Sequence, residues 1–268
     1  MSTAGKKLTL YYLFALLITW SIWLPLVSNR QFETGLAVLP YQHYAGSFGP
    51  LLAALIVTLV FEGPGGVLRF IKSCFRKTGR PLSYVAVIVV PVVCFAIAVE
   101  INYRFTGLWP EWRDIGITRQ LPGFSTLSAW LFWIFTFGVG EETGWRGFAL
   151  QELQQVMKPV KASLCLGVMW AIWHVPAFFY DQEYLAMGGA ALAGWLLAIL
   201  YGSVFLSWLC NIAGGSILLV ALWHGTFDML IACDAATGVI PGVMSMLVIV
   251  MAIVIMKSTK GLLGYSAG

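Results

Sequence analysis

The feature that most constrains this chain is a cluster of charge set inside an apolar run. Gly138-Val139-Gly140-Glu141-Glu142-Thr143-Gly144-Trp145-Arg146-Gly147 follows Trp130-Leu131-Phe132-Trp133-Ile134-Phe135-Thr136-Phe137 and precedes Phe148-Ala149-Leu150. The flanks read as membrane-spanning, and one charge at membrane depth costs about 2.5 kcal/mol or more on insertion scales. Such residues mark either a functional site or an ion pair that fixes packing. Helical geometry sorts the three charges. Glu142 and Arg146 are four apart, share a face and can pair. Glu141 lies about 100° around the helix and is left for a different partner. Gly140, Gly144 and Gly147 form a strip of small residues that lets another helix approach closely.

Composition extends this reading to the whole chain. Of 268 residues, 59% are hydrophobic and only 10% charged, which excludes an ordinary soluble domain and points to a polytopic membrane protein. The expected fold class is all-α: a transmembrane bundle of about eight spanning helices, near 8–28, 46–62, 83–101, 124–153, 162–180, 190–210, 215–232 and 239–256. It reads as one membrane-embedded domain over 1–268, with the motif-bearing core at about 120–232. The fourth segment is over-long and is expected to tilt or to leave the bilayer as a helix. Lys6 and Lys7 precede an apolar run of about twenty residues without a small-residue cleavage site, so that run reads as a first span and not a signal peptide.

The loops set orientation. With the N-terminus inside, eleven basic residues fall inside, at Lys6, Lys7, Arg69, Lys72, Arg76, Lys77, Arg80, Lys158, Lys161, Lys257 and Lys260. Four fall outside: Arg30, Arg104, Arg113 and Arg119. The asymmetry satisfies the positive-inside rule and puts both termini in the cytoplasm. The net charge of +4 is therefore topological, and no nucleic-acid partner is expected. Segment 62–81 reads as a surface-lying cytoplasmic helix or loop, a topology determinant that can also touch anionic lipid. His43 reads as an interfacial residue without a role. Five scattered cysteines without a CxxC pair predict no disulfide framework and no cysteine-based metal site. No Asn-x-Ser/Thr sequon occurs, in keeping with a prokaryotic plasma membrane.

Further polar residues fall on later segments. His174 stands in Trp170-Ala171-Ile172-Trp173-His174-Val175-Pro176, and His224 in Trp223-His224-Gly225-Thr226-Phe227-Asp228. Counted from the inside ends, Glu141 and His174 lie roughly 18 Å deep and His224 roughly 14 Å, so the three can share one pocket. Asp228, four residues after His224, can orient its imidazole. Trp170, one turn before His174, can hold that ring, and Pro176 loosens the helix beside it. A glutamate with two histidines can activate water, directly or through a metal.

Glu141-Glu142-x-x-x-Arg146, an aromatic-x-x-x-His174 and His224-x-x-x-Asp228, on successive apolar segments, resemble the CAAX protease and bacteriocin-processing (Abi) family of intramembrane proteases. The likeness covers about 120–232. Two positions depart from the family pattern: Trp170 stands where Phe is usual, and Asp228 where many members have Asn. The resemblance implies an intramembrane endopeptidase that hydrolyses a membrane-associated or C-terminal peptide near the cytoplasmic side. Glu141 would be the general base assisted by His174. His224 and Asp228 would stabilise the oxyanion or help hold a metal, and Glu142 and Arg146 would form a structural pair. Zinc is the one cofactor in question, held by Glu141, His174 and His224; the alternative is metal-free water activation. There is no HExxH to support zinc. Two other functions fit the same residues: a non-catalytic scaffold or immunity protein of this fold, and a proton-coupled transporter, against which no matching pair of broken helices is seen.

Overall fold

In a computed structural model, which describes residues 2–78 and 81–265, the described residues form helices joined by loops and turns, without strands. α1 (Thr3–Phe32) starts where the Ser2 side chain accepts a hydrogen bond from the Gly5 amide, as an N-cap does. It stops at Glu33, whose backbone turns left-handed. A short α2 (Gln42–Gly46) leads into α3 (Gly49–Cys74) and α4 (Pro81–Thr106). The motif then lies on one continuous rod. α5 (Thr126–Trp133) passes into π-helical turns over Ile134–Glu141, a short α6 (Glu142–Gly144), a second π-helical stretch over Trp145–Ala149, and α7 (Leu150–Gln154). After it come α8 (Pro159–Trp173), a 3₁₀ stretch (Val175–Phe179), α9 (Gln182–Leu185), α10 (Gly189–Ile212), α11 (Leu218–Ala232) and α12 (Ile240–Ser258).

Six helices among the described residues are long and apolar enough to cross a membrane: Thr3–Phe32, Gln42–Cys74, Pro81–Thr106, Pro159–Phe179, Gly189–Ile212 and Ile240–Ser258. The chain is an integral membrane protein. Of the eight expected spans, 124–153 and 215–232 do not reach that length and composition. The reason is physical: the first is interrupted by π-helical turns and charge, and the second, α11, has only 15 residues. These two elements hold Glu141, Glu142, Arg146, His224 and Asp228. The element expected as a helix or loop at 62–81 is, up to Cys74, a helix, the second half of α3, set off by a break at Gly63 (φ 69°, ψ −175°). Only glycine takes that conformation without strain, and Pro64 follows it. Arg80, counted among the inside charges, lies outside the described residues.

Glycines decide how closely the motif rod is held. A Cβ on Gly138 would stand 2.5 Å from the Ala221 carbonyl oxygen, and one on Gly225 would stand 2.5 Å from the Ile134 Cα. The rod and α11 therefore touch backbone to backbone. On the opposite side, a Cβ on Gly140 would meet the Ser47 carbonyl and one on Gly144 the backbone of Pro50. The small-residue strip seats α3, as the spacing predicts. α1 packs along α3, α8 along α10, and α10 along α12, while α11 lies between α4 and the rod. All five cysteines are free.

The close approach gives a direct expectation. Gly225→Val should lower stability by about 3 kcal/mol, because the wall it meets is backbone and cannot repack. Gly194→Ala, at a lipid-facing position on α10 with open space around it, should leave the melting temperature unchanged or raise it. Thermal unfolding in detergent, followed by size-exclusion chromatography, distinguishes the two.

Candidate functional site

Glu141 and Glu142 sit where the first π-helical stretch gives way to α6. Helical widening of this kind clusters at functional sites because it redirects side chains within an otherwise regular rod. Glu141 is 1% exposed, Glu142 and Arg146 are 0% exposed, and His224 is 5% exposed. At this burial each charge calls for a partner group close by.

The expected Glu142–Arg146 pair is present: Arg146 Nη1 donates to Glu142 Oε1 at 2.8 Å. The same carboxylate oxygen lies 2.7 Å from His224 Nδ1, though off the line of a good hydrogen bond. The other ring nitrogen, Nε2, is 3.1 Å from Asp228 Oδ2. The i,i+4 spacing thus sets Asp228 beside His224, and the fold adds a carboxylate on the far side of the ring. Arg146 Nε and Nη2 have no hydrogen-bond acceptor among the described residues. Their compensation is the face of Trp170, whose ring centroid is 4.5 Å from the guanidinium carbon, a cation–π contact strengthened by desolvation.

Trp170 organises the other half. Its Nε1 donates to Glu141 Oε2 at 2.7 Å, so Glu141 finds the separate partner that its helical position requires. Its carbonyl lies 2.8 Å from His174 Nδ1. A carbonyl can only accept, so Nδ1 carries the proton and Nε2 presents its lone pair. The Trp170 ring also meets His224 edge to face, with centroids 5.5 Å apart at 87°. One residue thus touches Glu141, Arg146, His174 and His224. Sequence reasoning gave it only the role of holding the His174 ring.

Residues far from the motifs support this group. Trp20 Nε1 donates to the Trp173 carbonyl at 3.1 Å, and the Tyr12 hydroxyl to the Met169 carbonyl at 3.0 Å. Trp173 Nε1 donates to the Thr19 hydroxyl at 2.8 Å, which in turn donates to the Gly46 carbonyl at 2.8 Å. α1, which carries no motif, therefore anchors the last turn of α8, where Pro176 helps end the helix at His174. Amphipathic Tyr and Trp in an apolar run were the available signal, since a buried polar tip needs a partner. His174 is half-buried among Trp173, Tyr184 and Trp195. His43, expected to be an ordinary interfacial residue, stacks on Trp23 and lies 2.6 Å from the Tyr180 hydroxyl, linking α2 to the stretch after α8.

The proposed metal set is not assembled. Glu141 faces Trp170, His174 Nδ1 faces a carbonyl, and His224 lies between Glu142 and Asp228. No three His, Cys, Asp or Glu side chains among the described residues converge on a point that could hold an ion. The side chains as arranged do not fit a zinc site built from Glu141, His174 and His224.

Residues 123–230 match the family described as Type II CAAX prenyl endopeptidase Rce1-like. A protein named CAAX prenyl protease 2 from Methanococcus maripaludis is 25% identical over 224 residues, covering 80% of this chain and 80% of its own. The matched segment opens just before α5 and closes within α11, so it takes in all seven residues of the three motifs. The resemblance drawn from those motifs is borne out.

The buried pair yields a test of its own. Arg146→Met should destabilise the protein by about 3–5 kcal/mol, because it strands Glu142 without its cation. Adding Glu142→Gln to it should recover most of the loss. A thermal-unfolding cycle on the two single variants and the double variant measures this coupling.

Proposed function

We propose that this chain, which carries an Rce1-like domain of the CAAX protease and bacteriocin-processing family over residues 123–230, is an intramembrane endopeptidase whose water nucleophile is activated by Glu141 and His174. The observation that carries this reading is the double use of Trp170. Its indole holds one oxygen of Glu141, and its carbonyl fixes the tautomer of His174. Two proton acceptors are thereby positioned on one rigid residue, as general-base catalysis requires.

In the proposed reaction, Glu141 Oε1 or His174 Nε2 takes a proton from water as its oxygen bonds to the scissile carbonyl carbon. The carbonyl oxygen becomes an oxyanion. Both ring nitrogens of His224 face carboxylates, Glu142 and Asp228, so its part in stabilising the oxyanion requires the ring to release one of them while the other orients it. Asp228 does not face the oxyanion itself, because an ionised carboxylate would repel the charge that develops there. The carbon–nitrogen bond then breaks, and the proton taken from water passes to the leaving amine. Glu142 and Arg146 take no part in proton transfer and hold His224 and Trp170 in place. No step passes through a metal.

The substrate we propose is a membrane-associated or C-terminal peptide presented near the face that carries Lys72, Arg76, Lys77 and Lys257. By the positive-inside rule this is the cytoplasmic face of a prokaryotic plasma membrane, with both termini inside. The name of the Methanococcus maripaludis relative, CAAX prenyl protease 2, makes a C-terminal, lipid-modified peptide the first candidate.

Purified protein with a panel of membrane-tethered peptides provides the test. Glu141→Gln and His174→Ala should each lower cleavage by about 10²–10⁴-fold while leaving the melting temperature near that of the wild type. Activity should survive a chelator; loss restored by added zinc would replace this mechanism with a metal-dependent one. A wild-type protein that cleaves nothing, together with a Glu141→Gln variant that still complements a deletion strain, would make this a membrane scaffold.

Trp170→Phe gives a finer test, since it keeps a smaller aromatic ring beside Arg146 and removes the N–H donated to Glu141. The expected result is a kcat reduced by about ten- to a hundredfold with KM little changed, in line with the loss of one hydrogen bond to a charged group.

A further inference from the structure

A groove of about 760 Å³ lies between α4, α10, α11 and α12, away from the polar site. Its walls are apolar, with Val87, Phe205, Trp208, Leu209, Trp223 and Met251 among them. It opens at Thr78 and Ser83 and runs inward along α4 to Val90, seven residues or about 10 Å at helical rise. On α10 it runs from Ile212 back to Phe205, and on α12 from Ile255 back to Val250, so all the walls start from the same end of the bundle. That depth is roughly two-thirds of one leaflet of a hydrocarbon core about 30 Å thick.

The mouth has a definite charge. The described parts of the chain that form it, 75–78, 81–83, 212–219 and 255–262, contain Arg76, Lys77, Lys257 and Lys260 and no Asp or Glu. Arg76 donates to the Gly214 carbonyl, which pins the 75–78 segment over the end of α10 beside the groove. Lys77 is next to Thr78, exposed, and Lys257 follows Ile255 by two residues. An apolar slot about two-thirds of a leaflet deep under a basic rim has the shape and polarity of a phospholipid site: chain below, anionic headgroup above.

We propose that this groove is a binding site for an anionic glycerophospholipid, with an acyl chain between α4, α10, α11 and α12 and its phosphate at Lys77 and Lys257. The site lies behind α11, whose Trp223 lines the groove directly before His224. Bound lipid therefore backs the helix that positions His224, without touching the polar residues themselves. The inference does not depend on the proposed reaction.

The test reconstitutes full-length protein in nanodiscs of equimolar phosphatidylglycerol and phosphatidylcholine with identical chains, then identifies retained lipid by native mass spectrometry. The expected result is retained phosphatidylglycerol in roughly tenfold excess, on the scale that two basic residues near a headgroup supply. Lys77→Gln with Lys257→Gln should bring the ratio towards one. Ala86→Trp, which fills the groove, should abolish retention of either lipid while the protein stays monodisperse. A third arm adds free geranylgeraniol. Equal retention of both lipids by the wild type, undiminished retention by Ala86→Trp, or complete displacement by the isoprenoid alcohol would each overturn the assignment.

Discussion

A guanidinium with no access to water, at Arg146, is the constraint on which the rest of the polar interior depends. Burying it unpaired would cost several kcal/mol, so its surroundings are not free to vary. Glu142 supplies the counter-charge at 2.8 Å, and the Trp170 ring covers the guanidinium face. Once Trp170 is fixed by that contact, its indole N–H and carbonyl point in set directions, and Glu141 and His174 take their places against them. The pair of residues with no part in proton transfer thus determines where the proposed proton acceptors stand.

Holding such a group requires a rod that can be approached from two sides. Gly138 and Gly225 remove the side chains between the rod and α11, and Gly140 and Gly144 do the same towards Ser47 and Pro50. Two π-helical stretches on either side of α6 let the rod present Glu141, Glu142 and Arg146 inward without breaking. α1 completes the frame from outside the matched domain, by donating hydrogen bonds to the last turn of α8. Each hydrogen bond formed in a low-dielectric interior also removes the penalty of an unsatisfied polar group.

The polar group and the apolar groove have opposite chemistry. Glu141 and His224 are buried and His174 half-buried, with Trp170 against all three. The groove behind α11 is wide, apolar and open to the bilayer at a basic rim. α11 separates them, with His224 towards one and Trp223 towards the other, so a single short helix carries both the proposed oxyanion contact and the wall of a lipid site.

The amino-acid sequence by itself determined the class of protein, the charged residues that matter and the local pairs among them. Hydrophobic content and basic asymmetry are summed over the chain and need no tertiary information. Glu142 with Arg146, and His224 with Asp228, are four residues apart and were legible from helical period alone. Depth alone let Glu141, His174 and His224 share a pocket, but which of these side chains touch was not legible, because the partner of a side chain across helices depends on which faces meet. Only the tertiary structure placed His224 against Glu142 and gave Glu141 to Trp170. It alone showed that α1 steadies α8, that the rod widens into π-helical turns, and that Glu141, His174 and His224 do not gather around one point. Those outcomes are settled by close packing between distant segments, where a glycine or a single indole N–H decides which of several compatible contacts forms.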